Sequence, residues 1–269
     1  MAAVVTKGGL AEKHGYLPLK DRVAIVTGGA GGIGSAISTH LASLGARVVI
    51  GYIGDAAPAQ KLVSTINAKH PTTPRAVAVE SDVSKAAQVK SLFDAAAAAF
   101  GPDLHILVTT AAVLDYGHPS IAETTEESFD HMFATNAKGT FLCCREAANR
   151  LVRGGGGRII TFSSSGVGSL RPGYGAYAGS KGAVEVMTKI LARELRGTGI
   201  TANGVAPGPT ATPMFYNGKS EEDVEGCIGE IPLERLGMPE DIAPLVGFLA
   251  SDAGEWVNAQ IIRCNGGNV

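Results

Sequence analysis

The sequence predicts an α/β fold: a doubly wound, mostly parallel, seven-stranded sheet with helices on both faces, in a single domain. Three observations lead there. Short apolar runs of strand length alternate with stretches of helical spacing along all 269 residues. That alternation implies parallel strands joined by right-handed crossovers. No linker-like, repeated or low-complexity stretch divides the chain, and α/β folds of about 250 residues are often one domain. Hydrophobic residues make up 45% of the chain, enough to build a core without disulfides or metal.

Val23-Ala24-Ile25-Val26 is an apolar run that ends at a glycine cluster, as a buried strand does. Ile33, Ile37, Leu41 and Leu44 lie at helical spacing, and Gly45 is a helix stop. Val48–Ile50 reads as the second strand, Pro58–Ala68 as a helix and Ala76–Val79 as the third strand. Ser84–Phe100 opens on a serine start signal and stops at Gly101-Pro102. Leu104–Val108 is the fourth strand, Glu127–Leu151 a long helix and Arg158–Phe162 the fifth strand. Tyr177–Leu195 is a second long helix, Ile200–Val205 the sixth strand and Ile261-Ile262 the last. The stretch 213–239 breaks this rhythm. It follows the sixth strand, on the carboxyl side of the sheet where ligands bind, so a substrate lid is expected there.

Residues 1–20 read as an extension before a domain over 21–269. The extension lacks an apolar core and arginine, so neither a secretory signal nor a transit peptide is expected, and the predicted address is cytoplasmic. A net charge of −2 gives no footprint for nucleic acid. No apolar run reaches the roughly 18 residues of a membrane span. Cys143, Cys144, Cys227 and Cys264 form no CxxC and no zinc-spaced cluster, so no metal is expected. Adjacent Cys143 and Cys144 read as small buried apolar residues.

The chain holds 36 glycines, close to twice the usual share of about 7%. Several sit in Thr27-Gly28-Gly29-Ala30-Gly31-Gly32-Ile33-Gly34, between the first strand and the first helix. Such a turn lets backbone N–H groups approach a pyrophosphate at a helix N-terminus. Gly28, Gly31, Gly32, Ile33 and Gly34 are therefore candidate cofactor residues.

The spacing T-G-x-x-x-G-x-G resembles the short-chain dehydrogenase/reductase family, and later segments match it too. Tyr177-Ala178-Gly179-Ser180-Lys181 is that family's Y-x-x-x-K. Ser164 lies thirteen residues before Tyr177, Asn136 sits in Thr135-Asn136-Ala137-Lys138-Gly139, and Pro207-Gly208 follows the sixth strand. The resemblance runs from about Asp21 to Val269. Within the family the chain looks most like the plant NADPH-dependent aldehyde reductase-like group, on the cues Gly254–Asn258 and Gly154–Ile160.

The resemblance implies a Rossmann-type domain that reduces a carbonyl with a nicotinamide cofactor, in dimers or tetramers built through the two long helices. Asn136, Ser164, Tyr177 and Lys181 match the family's catalytic set, with Asn136 positioning a water toward Lys181 and Lys181 holding the nicotinamide ribose. The chemistry of the residues agrees. Carbonyl reduction leaves an alkoxide to be protonated, and a phenol of pKa near 10 donates poorly at neutral pH unless a cation lowers it. Tyr177 and Lys181 are four apart, on one helix face. Lys181 is thus expected to lower the pKa of Tyr177, the general acid. Ser164 would donate to the substrate oxygen, and spacing prefers it over Ser163 and Ser165.

Tyr52, at the tip of the second strand, stands where NAD users of the family carry aspartate, and Asp55 lies three residues farther on. Many NADP users carry arginine at the position of Gly31, which this chain lacks. NADP(H) is favoured over NAD(H). Asp82 resembles the family's adenine-contacting aspartate, with a local cap with Ser84 as its plainer reading, and Val83 follows it. Ala111 and Ala112 are expected along the nicotinamide ribose, and Pro207, Gly208, Thr210 and Thr212 on the nicotinamide side. One departure stands out: Thr109-Thr110-Ala111-Ala112 replaces the family's N-N-A-G, putting ordinary cofactor geometry in question.

Val113, Leu114, Ser165, Tyr174, Met214, Phe215 and Tyr216 are expected to line a mostly apolar substrate pocket. The sequence shows no arginine or lysine cluster for a phosphorylated or CoA-linked substrate. A small apolar or aromatic aldehyde or ketone is expected. An imine reductase or non-redox cyclase on the same scaffold, or a dinucleotide sensor without catalysis, are the alternatives.

Overall fold

A computed structural model describes residues 17–269. The expectations for the leader region therefore fall almost wholly outside the described residues. The strands are β1 (Val23–Thr27), β2 (Arg47–Tyr52), β3 (Ala76–Glu80), β4 (Ile106–Thr109), β5 (Arg158–Phe162), β6 (Thr201–Pro207) and β7 (Ile261–Cys264). They form one seven-stranded sheet in the order β3-β2-β1-β4-β5-β6-β7, and every pairing is parallel. The order reverses between β1 and β4, and a crevice opens beyond their carboxyl ends.

Alternation along β1 explains why the run is apolar without a break. Ala24 and Val26 join a core with Ile37, Leu41, Val246 and Leu249 on one face. Val23 and Ile25 join Leu92, Phe93, Leu142 and Ala147 on the other. A parallel strand buried on both faces needs apolar side chains in both directions. The helices on the first face are α1 (Gly32–Ser43), α2 (Ala57–Ala68) and α10 (Pro239–Ala250). The second face carries α3 (Ala86–Phe100), α5 (Thr140–Arg150) and α7 (Gly175–Glu194), with α4 (Glu126–Met132) leading into α5.

Most element ends shift from expectation by one or two residues, as α7 does in starting at Gly175 and β6 in running over Thr201–Pro207, and three differences have a local cause. The third helix starts at Ala86 rather than Ser84, because the Ser84 N–H donates to the Asp82 carboxylate at 2.9 Å in a turn before the helix. The fourth strand starts at Ile106, and Leu104 makes only an isolated bridge with Leu151. The long helix expected over Glu127–Leu151 is broken by a widened π-type segment, Phe133–Gly139, between α4 and α5. Such segments often sit at functional sites. The stretch after β6 forms α8 (Pro213–Tyr216) and α9 (Glu221–Gly229), and a short α6 (Gly166–Ser169) follows β5.

Candidate active site

A cleft of about 1000 Å³ lies at the carboxyl edge of the sheet. Its floor begins at the glycine turn. Gly28 has φ +63°, and a Cβ there would come within 2.9 Å of the Ala111 Cα. At Gly34 a Cβ would overlap the Gly28 carbonyl oxygen. Both positions hold β1, β4 and α1 closer together than any side chain allows. No side chain caps α1 at Gly31, so the N–H groups of its first turn remain for a ligand. Gly31, Gly32 and Ile33 line the cleft there with Tyr52.

Farther along, Ser81, Asp82, Val83 and Lys85 line the same cleft. The Ser81 hydroxyl is buried without a partner. A buried polar atom of that kind is stable once a ligand meets it. Burial pushes the Asp82 carboxyl up, but bonds from Ser84 and the charges of Lys85 and His131 outweigh it and hold it below the usual range. The local cap with Ser84 is therefore present, and the carboxylate still faces the cleft. Lys85, an exposed cation, lies at this end of the cleft, and no local sequence signal marks it.

Three serines follow β5, each in a different environment. Ser163 is buried and donates to the Glu185 carboxylate at 2.7 Å. Ser165 is buried and donates to the Ala206 carbonyl at 3.3 Å. Ser164 is only partly buried, lines the cleft, and accepts from the Gly166 N–H at 3.0 Å, which leaves its proton available. Tyr177 and Lys181 line the cleft beside it.

The charge balance at this pair differs from the expectation that Lys181 lowers the phenol. Burial pushes the Tyr177 hydroxyl up, its interaction with Ser164 offsets part of this, and Tyr174 adds to the rise. Lys181 is 2% exposed; its ammonium donates to the Phe162 carbonyl at 2.9 Å and lies 6.0 Å from the Tyr177 ring centroid. Burial brings its pKa down to about 8. Helical spacing shows which face two residues share; it does not show where the ammonium ends or how dry the cleft is.

Asn136 sits fully buried in the π-type segment and does not line the cleft. Its amide donates to the Val113 carbonyl at 2.9 Å and to Ser180 at 3.1 Å, and its carbonyl accepts from the Val113 N–H at 2.8 Å. It therefore clamps the chain after β4. In the departing segment, the Thr110 hydroxyl donates to the Thr27 carbonyl at 2.6 Å and ties β4 to β1. The Thr109 hydroxyl is buried with no partner. Ala111 and Ala112 line the cleft, as do Pro207, Gly208, Thr210 and Thr212 on the opposite side.

At the far end Val113, Leu114, Tyr174, Met214 and Phe215 form the wall. Tyr216 does not: it points away and is 48% exposed, because α8 is a single turn that presents Met214 and Phe215 to the cleft instead. Arg171, Lys219 and Cys227 line this end and were not anticipated. Their separation along the sequence hid them, since a cluster made across three segments leaves no local signal. Among the described residues no group of His, Cys, Asp or Glu is arranged to hold a metal, and no helix is long and apolar enough to cross a membrane.

Known proteins resemble this chain over nearly its whole length. The family model described as enoyl-(acyl carrier protein) reductase matches residues 28–268. A relative from Arabidopsis thaliana, named NADPH-dependent aldehyde reductase-like protein, chloroplastic, is 58% identical over 94% of this chain and 96% of its own. A short-chain type dehydrogenase/reductase of Picea abies is 57% identical over 93% of each. Among solved structures, a short chain dehydrogenase from Burkholderia cenocepacia in complex with NADP superposes with a TM-score of 0.86 at 33% identity, covering 93% of this chain and 99% of that one. A family model that matches nearly the whole domain, together with relatives at 57% and 58% identity over almost the full length, shows that this chain belongs to the short-chain dehydrogenase/reductase family.

Proposed function

We propose that the chain is an NADP(H)-dependent oxidoreductase that reduces the carbonyl of a small apolar or aromatic aldehyde or ketone, with Tyr177 as proton donor. One observation carries this reading: Ser164, Tyr177 and Lys181 share one wall of a single cleft with the glycine turn. The cleft fits a dinucleotide. No side chain caps the first turn of α1 at Gly31, and Ser81 offers an orphaned buried hydroxyl. The names of the Arabidopsis relative and of the Burkholderia complex support NADP(H) as that dinucleotide.

In this reading the turn at Gly31 to Gly34 holds the pyrophosphate, Asp82 and Val83 the adenine end, and Tyr52 leaves room for a 2′-phosphate. Ala111, Ala112, Pro207, Gly208, Thr210 and Thr212 flank the nicotinamide half. The bound cofactor supplies hydride. Ser164 orients the substrate oxygen by hydrogen bonding, and Tyr177 transfers its proton to that oxygen as charge builds there. The buried ammonium of Lys181 stabilises the phenolate left behind. Asn136 keeps Val113, and with it the chain beside the nicotinamide, in place. The stretch 213–239 closes over the substrate.

Loss of NADPH absorbance with a panel of aldehydes and ketones tests the proposal. Turnover of none of them by a chain that binds NADPH would overturn it and leave an imine reductase, a non-redox cyclase or a dinucleotide sensor. The expected assembly is a homodimer or homotetramer; Phe141 on α5 and Val186 and Ile190 on α7 are apolar and exposed, which supports it. The expected address is cytoplasmic, against a relative named chloroplastic; a fluorescent fusion of the full chain decides between them.

A further inference from the structure

The substrate end of the cleft carries a charge that the proposed reaction does not use. Lys219 lines this end with Arg171, Cys227, Tyr174 and Phe215. Arg171 is paired with Glu230. Lys219 has no carboxylate within ion-pair reach among the described residues. The nearest acids in sequence, Glu221 and Glu222, are exposed on α9; Asp223, whose charge acts on Lys219 without forming an ion pair, is engaged in the cap of α9, accepting from the Ser220 N–H at 2.9 Å and the Ser220 hydroxyl at 2.7 Å. No Asp or Glu side chain lines this end of the cleft.

Lys219 is also held in place. Its ammonium lies 4.9 Å from the Phe215 ring centroid, a cation–π contact that keeps it over the apolar wall. The residue before it, Gly218, has φ +76°, and a Cβ there would come within 2.8 Å of the Tyr116 carbonyl oxygen. The turn that carries Lys219 therefore presses directly on the loop before α4. That loop also supplies His118, which stacks on Tyr174 at 4.6 Å.

Resting on the reading above, we propose that the substrate carries a carboxylate beyond an apolar body, and that Lys219 binds it. The reactive carbonyl would lie at Ser164 and Tyr177, the body against Tyr174 and Phe215, and the anion at Lys219. One unpaired ammonium matches one negative charge, since Arg171 is already neutralised by Glu230. A phosphate dianion would call for more free cations than this end presents.

The test compares para-carboxybenzaldehyde with its neutral match, methyl para-formylbenzoate, under NADPH. Wild type is expected to favour the acid by about tenfold in kcat/KM, through KM. Lys219→Met should erase that ratio while leaving the ester within about twofold, Lys219→Arg should keep it, and added salt should shrink it. Equal use of acid and ester by wild type, or a ratio that survives Lys219→Met, would overturn the inference and leave the reductase standing. Calorimetry with para-toluate, which offers no reducible carbonyl, reads the site separately: wild type should bind it about tenfold tighter than Lys219→Met. Binding of para-toluate through Lys219 with no aldehyde turned over would keep the anion site and overturn the reductase. Equal binding by the two chains would count against the anion site whatever the turnover.

Discussion

A phenol shut into a half-dry cleft holds its proton more tightly than one in water, and Tyr177 is in that position. Its usefulness as a donor depends on the cation beside it. Lys181 carries that charge only below its own pKa, brought down by burial to about 8. The sign follows: a lysine with a lowered pKa is charged below about 8 and neutral above. Reduction measured as kcat/KM for the free enzyme should be level below about pH 8 and fall about tenfold per unit above it, in a stopped-flow or steady-state pH profile. Tyr177→Phe should lose about 10²- to 10⁴-fold in rate while still binding NADPH by fluorescence titration. A second residue tests the dinucleotide. Gly31 has φ −80°, and a Cβ there meets only the Gly28 carbonyl oxygen at 3.4 Å. Arginine therefore fits at no conformational cost. Gly31→Arg should lower KM for NADPH about tenfold or more and leave NADH nearly unchanged, since only NADPH offers a phosphate to pair.

At the scale of elements, β4 and the chain after it show what patterning can and cannot tell. The strands are legible because parallel strands buried on both faces are mostly apolar, as Val23–Val26 is throughout and Arg158–Phe162 is at Ile159, Ile160 and Phe162. The π-type segment was not, because Phe133–Gly139 keeps ordinary helical composition and differs only in how its carbonyls are bonded. The burial of Asn136 beneath Val113 was hidden for the same reason. The replacement of the family's asparagines by Thr109 and Thr110 raised a question that the structure divides in two. Thr110 restores a strand-to-strand bond through Thr27, while Thr109 buries a hydroxyl that bonds nothing. A buried unmatched hydroxyl costs about 1–3 kcal/mol. Thr109→Val should stabilise the chain by about 1 kcal/mol and raise Tm by about 2–4 °C in thermal denaturation. Thr110→Val, which breaks the 2.6 Å bond to Thr27, should lower it.

On the scale of the whole molecule, the sequence marks the cofactor half of the cleft better than the substrate half. The glycine turn and the Tyr177–Lys181 pair are each one local string, whereas Arg171, Lys219 and Cys227 meet only where the chain after β6 comes beside the chain after β5. The side chains of the proposed reaction all come from one chain, so activity and assembly can be separated. α7 buries Ser180, Lys181, Val184, Thr188 and Ala192. On another side it exposes Val186 at 59% and Ile190 at 50%, four residues apart and hence neighbours on one stripe. An exposed apolar stripe on a long helix marks a contact surface. The double substitution Val186→Glu with Ile190→Lys removes that stripe and replaces it with a helix-supporting ion pair in the favourable order, so the helix itself is not weakened. Wild type is expected to sediment as a dimer or tetramer and the double variant as a smaller species with an unchanged circular dichroism spectrum. If both sediment alike, α7 is not the contact. If the variant dissociates and still consumes NADPH with its aldehyde, the reaction needs no second copy.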